Sequence, residues 1–343
     1  MTELTLAGQT TSALTHFAMN GLANIVASEC GGIPRIYWQD SGEPTARIVA
    51  DGVDEQQMAS AVHQHARRCS TAESWLNVRI DHGGRPNTAA FSPRIKIAKD
   101  VTEWTSLQRT RHESIDALLH TNRVLDLAMI GALGEPAHWR FDKNEPRPDH
   151  GASRWEMKAR NRGEEFVGQR LLPLAQTVAA RSPGGILDGI SGNRRCDELG
   201  TGNPASSQTS TGFTAPGPVD CALAWCALWG ITNFPPSHHV SALSATPTAF
   251  PTTFLHPTFM VLPVVTKPTT TARMRSLLVS KALRVVAEHQ TRTSPHDPLT
   301  VDAASRWLTS RDTAATIIFP IRKAGSVNAP QRFVLDGQIE HLS

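Results

Sequence analysis

Arginines, aromatic residues and glycines are concentrated between Arg140 and Arg170. Eight lysines and arginines lie there against six acids, with Phe141 and Trp155 among them and Trp139 directly before them. A guanidinium can bind a phosphate through two parallel hydrogen bonds, and an aromatic ring offers a nucleobase a stacking surface. The segment therefore suits contact with a nucleic-acid backbone. The six acids equally suit a surface whose charges pair with one another, and composition alone does not separate the two interpretations.

A second basic region precedes the first and adds Arg94 and Lys96 to the candidates. Residues 79–111 hold seven lysines and arginines against three acids, an excess of four positive charges. Arg194 and Arg195 lie in a loop rich in Gly, Ser, Thr and Asn. The whole chain carries a net charge of only +3, too little for a strong free-standing nucleic-acid binder. This charge suits a subunit that contributes one part of a larger cationic channel.

The familiar motifs of catalysis and metal binding are missing from the sequence. It contains no G-x-x-x-x-G-K-[ST], no H-E-x-x-H and no G-x-S-x-G. His63 and His65 are two residues apart and would point in different directions on a helix, so they do not suit a zinc site. The pair Glu164-Glu165 opens a predicted helix, where negative charge complements the helix dipole. The sequence therefore predicts no enzymatic activity, no metal and no cofactor.

Composition predicts a folded protein outside the membrane and secreted classes. The 343 residues are 40% hydrophobic and 19% charged, far from the composition of disordered chains. The longest apolar run, 221–229, is much shorter than the roughly 18 residues of a membrane-spanning helix. The first ten residues lack the pattern of a secretory signal, and the five cysteines include no C-x-x-C pair. We expect reduced thiols and a cytoplasmic location.

Hydrophobic periodicity predicts a mixed α/β fold (α+β) of helices and short strands. Helices are predicted over 11–27, 54–68, 101–133 with a possible break near 121–122, 164–181, 218–230, 272–289 and 303–308. Strands are predicted over 33–38, 45–50, 74–80, 94–98, 259–266, 316–321 and 332–335. The helix over 218–230 is apolar on all sides and should be buried, with Asp220 capping its start.

We expect two loosely defined lobes separated by a flexible loop. The N-terminal α+β lobe spans 1–190 and includes the basic Arg/Trp segment. Residues 191–217 form the loop, because they are rich in Gly, Ser, Thr and Asn. The C-terminal α+β lobe spans 218–343 and contains the buried apolar helix, in which Cys221 and Cys226 should behave as small hydrophobic residues.

Several stretches resemble a known family. They are T-S-A-L-T-H-F-A-M-N-G-L-A-N-I at 11–25, G-E-P-A-H-W-R at 134–140, G-A-S-R-W-E-M-K-A-R-N-R-G-E-E-F at 151–166 and P-G-P-V-D-C-A-L-A-W-C-A-L-W-G-I at 216–231. Together they resemble the Csb group of CRISPR-associated proteins found with type I-U (also called I-G) systems, and most closely its small third family. The run that begins R-W-E-M-K is the most specific part.

The resemblance implies a non-catalytic subunit of a crRNA-guided surveillance complex in a prokaryotic cytoplasm. In such complexes base pairing reads the target sequence, while protein subunits hold the backbone and inspect a short adjacent duplex. The implied partners are crRNA, target DNA and the other subunits of the complex. The residues that the resemblance assigns to nucleic-acid contact are Arg154, Trp155, Lys158, Arg160, Asn161 and Arg162, beside Arg140, Arg94, Lys96, Arg194 and Arg195 from the basic regions. The resemblance also implies that the loop with Arg194 and Arg195 becomes ordered on nucleic acid.

Individual residues of this set keep alternative roles. Asn161 is the uncharged polar side chain of the cluster that is able to read a base edge. Trp155 suits the core at least as well as a stacking surface, and Glu156 is expected to pair with a nearby arginine.

The role of the whole chain is also open. It can be a reduced large subunit on the target-adjacent duplex or a backbone-type subunit that holds crRNA. An unrelated enzyme acting on a phosphorylated substrate is the third alternative.

Overall fold

A computed structural model describes residues 2–40, 42–135, 141–142, 145–146, 148–156, 166–200, 211–215, 217–239, 242–326 and 329–342. The α-helices are α1 Ala13–Cys30, α2 Glu55–Ser70, α3 Val101–His120, α4 Val124–Leu133, α5 Pro148–Gly151, α6 Leu172–Ala179, α7 Pro183–Ser191, α8 Cys221–Trp229, α9 Thr271–Leu278, α10 Lys281–Gln290 and α11 Pro298–Thr309. Short 3-10 helices span Trp75–Asn77 and Gly230–Asn233, and a π-helical turn spans Val167–Leu171.

The β-strands are β1 Thr2–Leu6, β2 Arg35–Gln39, β3 Thr45–Ala50, β4 Arg79–His82, β5 Arg85–Ala89, β6 Phe141–Asp142, β7 Glu145–Pro146, β8 Ala249–Phe250, β9 Phe259–Val265, β10 Thr269–Thr270, β11 Thr313–Ser326, β12 Ala329–Val334 and β13 Gln338–His341. One sheet has the order β1-β3-β2-β10, and another has the order β12-β11-β9-β8 with β13 also paired to β11. Helices and several small sheets together make an α+β fold, as the sequence predicts.

Helices α1 and α8 form the centre of the core. The α1 residues from Ala13 to Val26 are buried around the whole helix, and every residue of α8 is buried. The carboxylate of Asp220 caps α8 by accepting hydrogen bonds from the backbone amides of Ala222 and Leu223, which confirms its predicted role. Helices α1 and α8 come from the two expected lobes, and residues of both helices belong to one hydrophobic cluster.

The second sheet packs against the same core. In β9 every residue after Phe259 is buried, and Leu262 lies opposite Ile317 of β11 in the antiparallel register. The β11 side chains Ile317 and Phe319 belong to the central hydrophobic cluster. The ring of Phe319 meets that of His16 edge-on at 5.7 Å, so the sheet contacts α1 directly.

Three capped helices near the C-terminus, α9, α10 and α11, build one surface of the protein. The Thr270 hydroxyl caps α9, the Ser280 hydroxyl caps α10 and the Asp297 carboxylate caps α11, each by accepting a hydrogen bond from a backbone amide three residues later. Helices α10 and α11 pack against each other, and Leu283 and Leu308 on them belong to the hydrophobic core. The caps fix where each helix begins, and the packing fixes the groove between them.

Some predicted elements differ from the structure. Residues 75–77 form a 3-10 helix where a strand is predicted, because the Ser74 hydroxyl accepts a hydrogen bond from the Leu76 amide and starts a turn. Residues 94–98 form no strand. The helix over 101–133 breaks as predicted, at Asn122 with φ 52°. The predicted helix over 272–289 is two helices, since Ser280 ends one and caps the next.

Within the described part of the chain, none of the helices has both the length and the apolar character needed to cross a membrane.

Candidate nucleic-acid interface

The arginine and tryptophan at the start of the R-W-E-M-K run lie inside the protein. Arg154 is 2% exposed and Trp155 is fully buried. The Arg154 amide donates to the Thr246 hydroxyl at 3.1 Å, and the indole Nε1 of Trp155 donates to the Pro247 carbonyl at 3.0 Å. In this structure the two side chains therefore cannot meet an external strand. The backbone of Arg154 and the indole of Trp155 instead hold the segment around Thr246.

Arg94 is also buried, in a cluster around the carboxylate of Glu156. Its Nε donates to Glu156, whose side chain is 2% exposed. Arg332 approaches the same carboxylate at 3.6 Å, and Arg170 donates to the Glu156 carbonyl at 3.1 Å. The expected pairing of Glu156 with a nearby arginine is thus present. A prediction of direct phosphate contact by Arg94 does not agree with this burial, because the guanidinium is already neutralised inside the core.

The remaining predicted residues lie at the surface or outside the described residues. Lys96 is exposed, and its ammonium group donates to the Gly83 carbonyl. Arg194 and Arg195 are exposed in the loop after α7. These three positions are compatible with nucleic-acid contact, which stays a prediction for them. Five predicted residues lie outside the described part of the chain: Arg140, Lys158, Arg160, Asn161 and Arg162.

A groove with three basic residues in its lining lies between α9, α10 and α11. Its volume is about 690 Å³. Arg273, Lys281 and Arg311 lie at its rim. Its floor consists of aliphatic side chains from the same three helices: Leu277, Ala282, Val285, Ala303 and Ala304. The groove, which we call the cationic groove, thus combines an apolar floor with a positively charged edge.

The described lining of the cationic groove carries three basic side chains and no carboxylate. The 67 residues 221–287 contain five lysines and arginines and no Asp or Glu. Asp312, just outside the groove, contacts Lys267 at 2.9 Å and Arg273 at 3.1 Å. The hydrogen bond from Lys267 and the charge of Arg273 lower the pKa of Asp312, so this carboxylate is ionised at neutral pH. Lys281 has no ion pair with the described residues, and its charge faces solvent.

The aromatic ring of the groove, Trp307, is covered by a cation. The guanidinium carbon of Arg311 lies 3.9 Å from the ring centroid, and Arg311 also donates to the Ser310 hydroxyl at 2.9 Å. Stacking on the indole holds the guanidinium at the groove in a defined position. A ligand would therefore meet a fixed positive charge there.

The groove is suited to binding and not to proton transfer. Its described lining includes the hydroxyl residues Ser276, Ser280 and Thr300 but no carboxylate, histidine or cysteine that could act as a base. The described residues also contain no cluster of three or more His, Cys, Asp or Glu that could hold a metal ion.

The buried thiols have raised pKa values and are correspondingly inert. Burial raises the pKa of Cys221 to about 12, and it also raises the pKa of Cys226. Both cysteines lie in the core, in agreement with their predicted role as small hydrophobic residues.

The sequence predicts a basic helix over 272–289 but does not identify it as part of a site. The sequence does contain a signal, which is the acid-free stretch 221–287. That signal concerns charge balance over many residues, and a count within one short segment does not reveal it.

Comparisons with protein-family models, with curated proteins and with solved structures find no match to this chain.

Proposed function

We propose that this chain is a non-catalytic subunit of a type I-U-like CRISPR surveillance complex in a prokaryotic cytoplasm, where it contacts crRNA or target DNA. The resemblance of its 134–166 and 216–231 stretches to the Csb group supports the complex, and the cationic groove supports the contact with nucleic acid. The observation that carries the proposal is a groove of about 690 Å³ with three cations at its rim and no acid in its described lining.

The chemistry of the groove favours an unpaired strand over a duplex. Phosphates can meet Arg273, Lys281 and Arg311, while sugars and base faces can lie on the aliphatic floor. A duplex hides its base faces in the stack and would leave that floor uncovered. The apolar floor therefore favours contact with crRNA or with the displaced DNA strand. It is compatible with the large-subunit role if that subunit guides a single strand.

Direct binding experiments test the proposal. We expect the full chain to bind single-stranded RNA and DNA oligonucleotides more tightly than duplex DNA of the same length. Reversing one rim charge with Lys281→Glu should weaken single-strand binding at least about tenfold, because a phosphate contact becomes a repulsion. The matched control is Arg67→Glu, which makes the same charge change at an exposed position of α2.

The outcomes separate the groove from general electrostatics. Equal weakening by Lys281→Glu and Arg67→Glu would show that only net charge matters. No binding of any nucleic acid would contradict the proposal. Co-expression with the genes that flank its own supplies the second arm, in which the chain should co-purify with the other subunits and with crRNA.

A further inference from the structure

We propose that the cavity beside the cationic groove is a nucleotide pocket, which holds one unstacked nucleotide of the bound strand. In this form the inference rests on the proposed function. The cavity measures about 450 Å³, within the range of roughly 300–1,000 Å³ that is usual for small-molecule sites. It lies between residues of the described ranges 237–239 and 242–253 and the junction of α9 with α10. We call it the threonine pocket.

Thr248 gives the threonine pocket a feature that the core does not require. Its hydroxyl is buried, and it makes no hydrogen bond within the described part of the protein. Its φ is 66°, a backbone conformation that is strained for a β-branched residue. A buried donor without a partner, held in a strained conformation at the wall of a cavity, is what a binding site for a hydrogen-bonding ligand retains.

The surrounding structure holds Thr248 in this position. Its carbonyl accepts a hydrogen bond from the Val261 amide at 3.1 Å, which attaches it to β9. On the other side, Thr246 and Pro247 accept the hydrogen bonds from Arg154 and Trp155. The buried part of the R-W-E-M-K run thus supports the wall of the threonine pocket. This gives its arginine and tryptophan a positioning role without direct contact to nucleic acid.

The threonine pocket and the cationic groove are neighbours that share one lining residue. Ser280 lines both cavities, and Lys281 of the groove is three residues from Arg284 of the pocket. The Nε of Arg284 contacts the Glu288 carboxylate at 2.9 Å. Among the described residues Arg284 forms this one ion pair. Its two Nη atoms can therefore donate to a phosphate at the mouth of the pocket.

The lining matches a nucleotide in kind. Phe250, Leu278 and Leu283 supply apolar surface for a base, while the hydroxyls of Thr248 and Thr252 can pair with its edge or its sugar. Arg284 supplies the anion contact. A nucleotide presents these three chemistries together, whether it belongs to a bound strand or is free in solution.

The test uses the full chain and two probes. The first is a single-stranded RNA oligonucleotide that carries 2-aminopurine at successive positions, and the second is free AMP. At one position we expect the 2-aminopurine fluorescence to rise on binding, because the base leaves the stack. Thr248→Val keeps the shape and removes the hydroxyl, and it should abolish that rise and weaken AMP binding about three- to tenfold.

Stability separates a binding role from a structural one. Removing a buried hydroxyl without a partner should leave the melting temperature unchanged or higher, whereas loss of a structural hydrogen bond would lower it. Thr266→Val at an exposed position is the matched control. If Thr248→Val fails to fold, a second variant serves. Val279→Trp, at the exposed rim of the pocket, should fill the pocket entrance and abolish the fluorescence rise.

The outcomes identify the source of the nucleotide. A fluorescence rise that depends on Thr248 assigns the pocket to the bound strand. If AMP binding depends on Thr248 but the fluorescence of the oligonucleotide does not rise, the pocket is assigned to a free nucleotide. If the oligonucleotide binds but Thr248→Val changes neither probe, the pocket proposal is wrong and the proposed function stands. If no oligonucleotide binds, the proposed function fails, and AMP alone decides the pocket.

Discussion

Arg94 and Glu156 form an ion pair inside the protein, with side-chain exposures of 7% and 2%. When one partner of a buried pair is removed, the other charge stays buried without compensation, which costs about 3–5 kcal/mol. We therefore expect Arg94→Ala to lower the free energy of unfolding by roughly 3–5 kcal/mol, measured by urea denaturation.

Arg194→Ala is the control for this prediction, because Arg194 is exposed and should change stability little. The double replacement Arg94→Met with Glu156→Leu should recover part of the loss, since it removes both charges of the pair and keeps the volume, although Arg332 then loses its contact with Glu156. An Arg94→Ala variant as stable as Arg194→Ala would contradict the internal cluster.

His16 is the titratable residue from which we expect the clearest pH effect. Burial lowers its pKa to about 4, against a hydrogen bond with the Thr10 carbonyl that acts to raise it. The unfolded chain therefore binds a proton between about pH 6.5 and 4 that the folded chain does not. Stability should fall as the pH drops through this window, by about 3 kcal/mol for this residue.

The comparison of wild type with His16→Gln isolates that contribution, because all other groups titrate in both proteins. We expect urea denaturation to show a smaller loss of unfolding free energy between pH 7 and pH 4 in the variant, although its stability at pH 7 is lower. Parallel pH profiles for the two proteins would show that His16 is not held neutral.

Among the elements, the contact between α1 and α8 is unusually close. A Cβ added at Gly21 would overlap the Cys226 carbonyl, and one added at Gly230 would overlap the Phe17 carbonyl. Both clashes are with backbone and cannot be relieved by a change of side-chain rotamer. We expect Gly21→Ala to destabilise the protein by about 3 kcal/mol or more.

Gly131→Ala should instead increase the stability of the protein. Gly131 is exposed on α4, and a Cβ there would meet no atom within 4 Å. Alanine has the higher helix propensity, so this variant should gain about 0.5–1 kcal/mol. Thermal unfolding of the two variants measures both effects, and a neutral Gly21→Ala would contradict the helix contact.

Sequence periodicity predicts the elements whose start, end and burial are evident from their own residues. The buried helix α8 and its cap at Asp220 follow from an all-apolar run and one acid before it. The split at Ser280 does not, because the apolar pattern continues across it and only the capping hydrogen bond to Leu283 reveals two helices. Local hydroxyl bonding likewise produces the turn at Ser74 that the strand pattern hides.

The candidate site is predicted less well than the fold. Arg94 and Arg154 are indistinguishable from surface arginines in the sequence, since their burial depends on contacts with Glu156 and with Thr246, up to 92 residues away. The cationic groove is built by three helices over 271–309, and no single segment contains it. Charge balance over 221–287 points to that region, but only tertiary packing shapes the groove.

For the whole molecule, the net charge of +3 is unevenly distributed. The N-terminal and central arginines that the structure describes include several that are paired with acids, such as Arg68, Arg94 and Arg181. The stretch 221–287 has no acids of its own. Acids outside this stretch pair with Lys267, Arg273 and Arg284. The described lining of the cationic groove has no acid, so a weakly charged protein can still present one cationic groove, which is what one subunit of a larger channel needs.

The most direct test of the account is the salt dependence of single-strand binding. Each phosphate contact contributes about 0.7 to the slope of log K against log salt for a single strand, measured between about 50 and 200 mM. We predict that Lys281→Ala reduces the magnitude of the slope by about 0.7, and that Arg67→Ala leaves it unchanged. An identical slope for wild type and Lys281→Ala would contradict the claim that the cationic groove holds nucleic acid.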